Sequence, residues 1–300
     1  VKNIISASRR TDIPAFYAQW MLNRLKSGSV LYANPYSGTI HQVSLKPEDV
    51  TAIVFWTKNP EKLEPYLGEI DTMRYRYYFQ FTITGHPGKL EPRVVDTEKA
   101  IDCFKRLSKR LSPEHLQWRF DPILLTPERG REKHLETFSH IAAELEGFTR
   151  RCYISFTKFY GKVKKNLARH GINALEPDSG EKIDFSQKLA EIGHGHGISL
   201  YSCCDESIVC GMVKKGHCID AEIIKNICSN GFREKINPTR PGCGCQDSRD
   251  IGAYDTCRHG CVYCYASSDP EASPLRQEAS GESRRARFPR LPSASPRGEL

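Results

Sequence analysis

The sequence predicts an α/β fold, a partial or closed barrel of about six strand–helix units, and three observations predict it. Six short β-rich apolar runs recur along the first two-thirds of the chain, amphipathic stretches separate them, and each run carries or leads into polar, ionisable or thiol residues. Strand then helix, repeated, implies a parallel sheet with crossover helices. The same pattern fits an open doubly wound sheet. The strand ends favour the barrel, because the carboxyl ends of its strands share one mouth, where an active site is built.

The first run, residues 4–8, leads into Ser8, Arg9, Arg10, Thr11 and Asp12. Thr11 and Asp12 supply an N-cap, and Pro14 suits the first turn of a helix over residues 13–25. Residues 29–33 and 39–45 read as a hairpin inside this unit. The second run, 52–57, leads into Lys58 and Asn59 and then a helical pattern near 60–67. The third, 77–84, carries Thr82 and Thr84 and precedes a helix over 98–111. The fourth, 117–123, holds Arg119 and Asp121 inside QWRFDPI, followed by a helix over 131–146. Charges inside a strand are costly without a partner. A structural ion pair accounts for these two as well as a site role does. The fifth run, 152–157, carries Ser155 and Thr157 and is followed by a helical pattern over 185–192. The sixth, 198–203, leads into Cys203, Cys204, Asp205 and Glu206. Residues 1–205 are therefore expected to form a barrel-like domain and residues 206–268 a cysteine-rich segment packed on it. Residues 269–300, rich in Ser, Pro, Arg and Glu, are expected to be a disordered tail.

A net charge of +8 permits a nucleic-acid or phosphate partner without requiring one. No aromatic-interleaved basic stripe or Gly-rich phosphate-binding fingerprint accompanies it. No run of about 18 apolar residues occurs, so neither a transmembrane helix nor a membrane partner is expected, and a cytoplasmic location is. Ten of the twelve cysteines fall between Cys203 and Cys264. In a reducing compartment such clustering points to metal binding or chemistry rather than disulfides.

The densest cluster is CRHGCVYC, which sets Cys257, Cys261 and Cys264 at C-x3-C-x2-C spacing. Thiolates bind soft iron and zinc. Three of them within eight residues can hold three corners of a cubane cluster and leave the fourth iron open. Gly260 suits the turn between ligands. Tyr263 and Tyr265 flank the last cysteine and can shield a cluster or stack on an adenine. A zinc site with a fourth ligand such as His259 or Cys245 is the alternative reading, although zinc sites more often use paired C-x2-C arms.

CRHGCVYC resembles the signature of the radical S-adenosylmethionine (SAM) superfamily. The resemblance implies a [4Fe–4S] cluster on Cys257, Cys261 and Cys264 and reductive cleavage of bound S-adenosylmethionine. Radical chemistry would then start on an unknown substrate, a small molecule or a nucleic acid, with a reductant such as flavodoxin or ferredoxin. The motif usually follows the first barrel strand, whereas here it follows all six runs; in a closed or nearly closed barrel the last segment can fold back beside the first strand and still reach the mouth. The segments ISASRRTDIPAFY, VFWTKNP, WRFDPI, CGCQDSRDIGAYDTC and CVYCYA together resemble an uncharacterised bacterial family, a domain of unknown function, over residues 1–266. WTKNP and RFDPI are also distantly similar to spore photoproduct lyase, a radical SAM enzyme that repairs thymine dimers.

Arg119, Asp121 and Lys58 are the candidate catalytic residues at the mouth, and Arg9, Arg10, Asp12 and Tyr263 the candidate cofactor-binding ones. Arg and Lys suit a carboxylate, and the acids suit ribose hydroxyls or an amino group. Cys203, Cys218, Cys243 and Cys245 can complete a second iron–sulfur cluster or a zinc site, and small buried core cysteines are the competing account. Cys103, Cys152, Cys204, Cys210 and Cys228 read as structural. The competing function is a zinc- or iron–sulfur-containing nucleic-acid-binding protein without SAM chemistry.

Overall fold

The computed structural model describes residues 2–35, 37–228 and 232–271. The expected disordered tail therefore lies outside the described residues beyond residue 271. The elements run β1 (Asn3–Ala7), α1 (Ile13–Phe16), α2 (Ala18–Ser27), β2 (Ser29–Ala33), β3 (Ile40–Ser44), β4 (Val50–Thr57), α3 (Leu67–Thr72), β5 (Tyr77–Thr82), α4 (Thr97–Leu111), β6 (Leu116–Ile123), α5 (Arg131–Glu144), β7 (Arg151–Phe156), α6 (Gly161–Arg169), α7 (Ser179–Gly195), β8 (Ser199–Cys203), β9 (Val213–Gly216), α8 (Ala221–Ile227) and β10 (Arg249–Asp250).

The six apolar runs are β1, β4, β5, β6, β7 and β8, in the order expected of successive strand–helix units. They form the middle of an eight-stranded sheet ordered β10-β1-β4-β5-β6-β7-β8-β9, in which every pairing is parallel. The cysteine-rich segment supplies both edge strands, β9 and β10, which are too short for a periodicity signal. β2 and β3 form the expected hairpin as a separate antiparallel pair.

Side chains alternate across the sheet with period two. One face carries Ile5, Ile53, Phe55, Phe79, Phe81, Trp118, Phe120 and Ile154, buried under the crossover helices in the main core. On the other face Ile4, Ala52, Val54 and Tyr78 pack against Ile223, Ile224 and Ile227 of α8. Toward the carboxyl ends of the strands that second face changes to Ser6, Trp56, Gln80, Arg119, Asp121, Ser155 and Cys203. These residues are the floor of the site.

Three helices differ from their expected bounds, and α6 forms where no helix was expected. The helical pattern near 60–67 is turn and 3-10 backbone as far as Tyr66, and α3 begins only at Leu67. The helix expected over 13–25 is two helices, because Tyr17 leaves helical geometry at φ −133°. Its hydroxyl donates to Thr256 O at 2.7 Å. α7 begins six residues earlier than expected, because Asp178 and Glu181 form a reciprocal capping box. No helix among the described residues is long and apolar enough to cross a membrane.

Candidate functional site

β10 pairs in parallel with β1, so the segment after it returns beside the first strand. Asp250 makes the join. Its carboxylate accepts hydrogen bonds from Ser6 Oγ (2.9 Å), Ser8 Oγ (2.5 Å), the Arg9 amide (2.9 Å) and the Gly252 amide (3.1 Å). Tyr265 then donates to Arg9 O at 2.9 Å. Arg10 holds the same returning segment, donating to Gly252 O at 3.3 Å with its guanidinium over the Tyr254 ring.

Asp12 ties the cysteine loop to two strand ends. One oxygen caps α1 by accepting from the Ala15 amide at 2.9 Å. The other accepts from the Lys58 amide at 2.7 Å and meets His259 Nε2 at 2.7 Å. The second nitrogen of His259 faces Arg93 O at 3.4 Å. Both imidazole nitrogens are thus engaged by protein, and His259 is no fourth ligand for the loop thiols. Arg93 holds the loop from outside, donating to Arg258 O at 2.6 Å and, through its amide, to His259 O at 3.2 Å. Gly260, at φ 72°, is required here: a Cβ would stand 2.4 Å from the Arg93 guanidinium.

Glu91 is the buried hub of the loop's inner wall. It accepts from Lys58 Nζ at 2.9 Å, Thr84 Oγ1 at 2.8 Å and the Tyr263 hydroxyl. Burial alone would raise its pKa, but the Lys58 ammonium outweighs burial, with His86 and the Tyr263 hydrogen bond adding, and holds the carboxyl at about 2. Burial opposes the charge on Lys58 in turn, and Glu91 overcomes it and raises the ammonium above its ordinary value. Tyr263 lies between this carboxylate and the His86 ring, 5.4 Å away, in an apolar cluster with Leu90, Leu124, Val163 and Leu167.

The three loop thiols share this enclosure. Burial pushes the Cys257 thiol up to about 12, with Asp12 and Cys264 adding to it. Burial also raises Cys261, together with Glu91 and against Lys58, and each of the other two loop thiols acts on it. Cys264 is raised by burial, with Lys162 and Lys58 opposing. Without a metal these are protonated thiols. A bound metal would displace the protons.

A second group of thiols forms at the ends of β8 and β9. Cys203 and Cys218 are 2.8 Å apart. Side-chain interactions also link Cys203 to Cys204, Cys204 to Cys243, Cys243 to Cys245 and Cys245 to Cys218. Five thiols thus close a ring, and Cys204, expected to be structural, is one of them. Hydrogen bonds from Cys204 and Cys218 hold Cys203 well below the usual thiol range, and those from Cys204 and Cys245 do the same for Cys243.

Arg119 and Asp121 form an ion pair, the structural alternative that QWRFDPI left open. Arg119 also donates to Gln80 Oε1 and to Cys218 Sγ, both at 3.3 Å, and Asp121 accepts from Ser155. Arg119 and Arg9 each place a guanidinium 5.2 Å from the Trp56 ring. Arg119 therefore faces the five-thiol ring, Lys58 faces the loop, and Asp121 acts electrostatically on both cations.

As the side chains stand, no group of three or more His, Cys, Asp or Glu residues among the described residues is arranged to hold a metal ion. The donor chemistry of the loop nonetheless suits iron: three thiols act on one another inside one buried enclosure that has two lysines at its edge. Composition did not reveal Glu91 and Arg240. Both lie in loops without a motif, and tertiary contact alone gives them their place. No curated protein matches the chain. A family model described as "Domain of unknown function (DUF1848)" matches residues 4–266, and the chain belongs to that family.

Proposed function

We propose that the protein is a radical SAM-type enzyme in which Cys257, Cys261 and Cys264 hold a [4Fe–4S] cluster at the mouth of a partial barrel. When bound, that cluster supplies the electron for reductive cleavage of S-adenosylmethionine. The observation that carries the reading is the β10–β1 pairing, which returns a motif from the end of the chain to the carboxyl end of the first strand, where the superfamily resemblance expects it.

The surrounding residues have separable tasks. Asp12, through His259 and the Lys58 amide, fixes the loop over the ends of β1 and β4. Glu91 keeps the Lys58 ammonium charged inside the apolar wall and orients Tyr263. Arg9 and Arg119, on either side of Trp56, are the cations placed to hold a carboxylate of S-adenosylmethionine or of the substrate. Asp121 lies near both Lys58 and Arg119, where it can take a polar group of the substrate. The reading also includes an external one-electron donor, such as flavodoxin or ferredoxin, and a cytoplasmic setting.

Anaerobic reconstitution with iron and sulfide tests it. The expected product is a brown protein that releases 5′-deoxyadenosine when reduced in the presence of S-adenosylmethionine, and a Cys257→Ala variant that releases none. A colourless protein holding only zinc would overturn the proposal in favour of a binding protein without SAM chemistry.

A further inference from the structure

We propose that Cys203, Cys204, Cys218, Cys243 and Cys245 form a second, separate centre for a thiophilic metal, bound as an iron–sulfur cluster or a zinc ion. The inference does not depend on SAM chemistry at the loop.

Three observations carry it. The first is closure. The five thiols come from the end of β8, the segment after β9 and the turn before β10, yet Cys203 and Cys218 stand 2.8 Å apart and each of the five interacts with two others in one ring. All five are free of disulfides. The thiols border the apolar cluster of Ile219, Ile223 and Ile224, but filling a core gives cysteines no reason to gather on one another. The CGC turn is built for this approach: a Cβ on Gly244 would stand 2.2 Å from the His217 ring.

The second is charge. Three guanidinium groups face the ring. Arg119 donates to Cys218 Sγ at 3.3 Å and Arg240 to Cys203 Sγ at 3.9 Å. Arg9 acts on Cys245 and Cys218, and its buried Nη2 has no acceptor among the described residues. Asp121 pairs with Arg119 and Asp250 acts on Arg9, so two carboxylates stand against three guanidinium groups, and a buried cation in excess of its anions is costly. Metal-bound thiolates supply the remaining negative charge.

The third is the set of donors aimed at sulfur. The Ile219 amide donates to Cys245 Sγ at 3.4 Å, and Thr239 Oγ1 to Cys243 Sγ at 3.6 Å. Hydrogen bonds of this kind orient and tune thiolate ligands. Sulfurs sharing one tetrahedral metal at about 2.3 Å stand roughly 3.7 Å apart. The 2.8 Å between Cys203 and Cys218 must therefore widen by about 1 Å on binding.

The test uses the full chain with Cys257→Ala, Cys261→Ala and Cys264→Ala combined, purified anaerobically and analysed for zinc, iron and acid-labile sulfide. The expected result is one centre per chain: about one zinc, or about four irons with matching sulfide. A folded variant, judged by circular dichroism, that holds no metal above background would overturn the proposal, as would a disulfide within the ring. Should the triple variant fail to fold, Cys203→Ser with Cys243→Ser in the otherwise unaltered chain provides the second measurement. It should lose the zinc, or roughly half the iron, and keep the loop's share. Unchanged metal content there overturns the proposal. Failure to release 5′-deoxyadenosine with ring metal retained would count against the loop reading alone.

Discussion

The two thiol groups solve opposite electrostatic problems. The loop of Cys257, Cys261 and Cys264 sits against one fully engaged carboxylate, Glu91, with Lys58 and Tyr263 locked to it. Around the ring of Cys203, Cys204, Cys218, Cys243 and Cys245, positive charge dominates, from Arg9, Arg119 and Arg240. The first arrangement is balanced before any ligand arrives, whereas in the second Asp121 and Asp250 answer only two of the three guanidinium groups and sulfur must answer the third. A site that must exchange a small ligand profits from a neutral, water-excluding wall. A site that permanently holds an anionic centre profits from fixed cations.

The comparison breaks most sharply at the loop. Replacing Cys257, Cys261 or Cys264 by Ala should reduce 5′-deoxyadenosine release to background while leaving ring metal in place, read by product chromatography beside metal analysis. Equal loss of metal from both groups would show that they are one site. Next in size is Glu91→Gln, which leaves the Lys58 ammonium buried without its anion. The expected loss is about 3–5 kcal/mol, read by urea denaturation. A loss below about 1 kcal/mol would mean that water reaches Lys58 and that the wall is not dry.

Acid should weaken the loop's wall in two steps. His86 stacks near Tyr263 and is lowered by burial to about 4, and buried His134 beside it is lowered to about 3. Both are neutral in the folded protein below the pH at which the unfolded chain takes up the protons. Their contribution is complete above about pH 6.5 and is lost as pH falls through about 4 and then about 3. Glu91 adds a later step, complete above about pH 4.5 and lost toward about 2. Stability measured against pH should therefore begin to fall near pH 6, and His134→Gln should flatten that limb. A profile flat down to pH 5 in the unaltered protein would contradict the burial of these rings.

Arg119→Lys should cost about 1.5–3 kcal/mol, because a single ammonium cannot serve Asp121, Gln80 and Cys218 together. It should lower ring metal and leave loop metal unchanged. The smallest effect is the control Lys26→Ala, which removes a half-exposed surface pair with Glu69 and should change stability by less than about 1 kcal/mol.

The two groups also differ in how far they could be read in advance. The loop is eight contiguous residues, so its spacing states its chemistry. The ring draws on three stretches that together span about forty residues. Four of its members stood out, through CGC, GHCID and the sixth strand's end, but Cys204, which interacts with Cys243 from a backbone φ of 59°, did not. The six central strands were legible as apolar, β-rich runs because both faces are buried over much of their length and only the carboxyl ends turn polar. The edge strands β9 and β10, of four and two residues, carry no period to detect. Lys58, Arg119 and Asp121 were found as costly charges at strand ends. Glu91 was missed because GHPGKLEPR offers no hint that its carboxylate turns inward. Asp12 and Arg10 were expected to meet ligands, and the structure engages both with the returning chain.

The β10–β1 pairing also sets a timetable. At roughly 5–20 residues per second, a ribosome needs on the order of 10–50 s to pass from the first strand to residue 250. Throughout that interval one edge of β1 has no strand beside it, a geometry that invites the wrong neighbour. The seam at Asp250 closes only after nearly all of the sheet has been synthesised. Any metal delivered to Cys257, Cys261 and Cys264 must arrive later still, at a scaffold already folded. If the loop holds a metal as proposed, a cell making this protein depends on two late events, strand docking and metallation, both after nearly all of the sheet has been made.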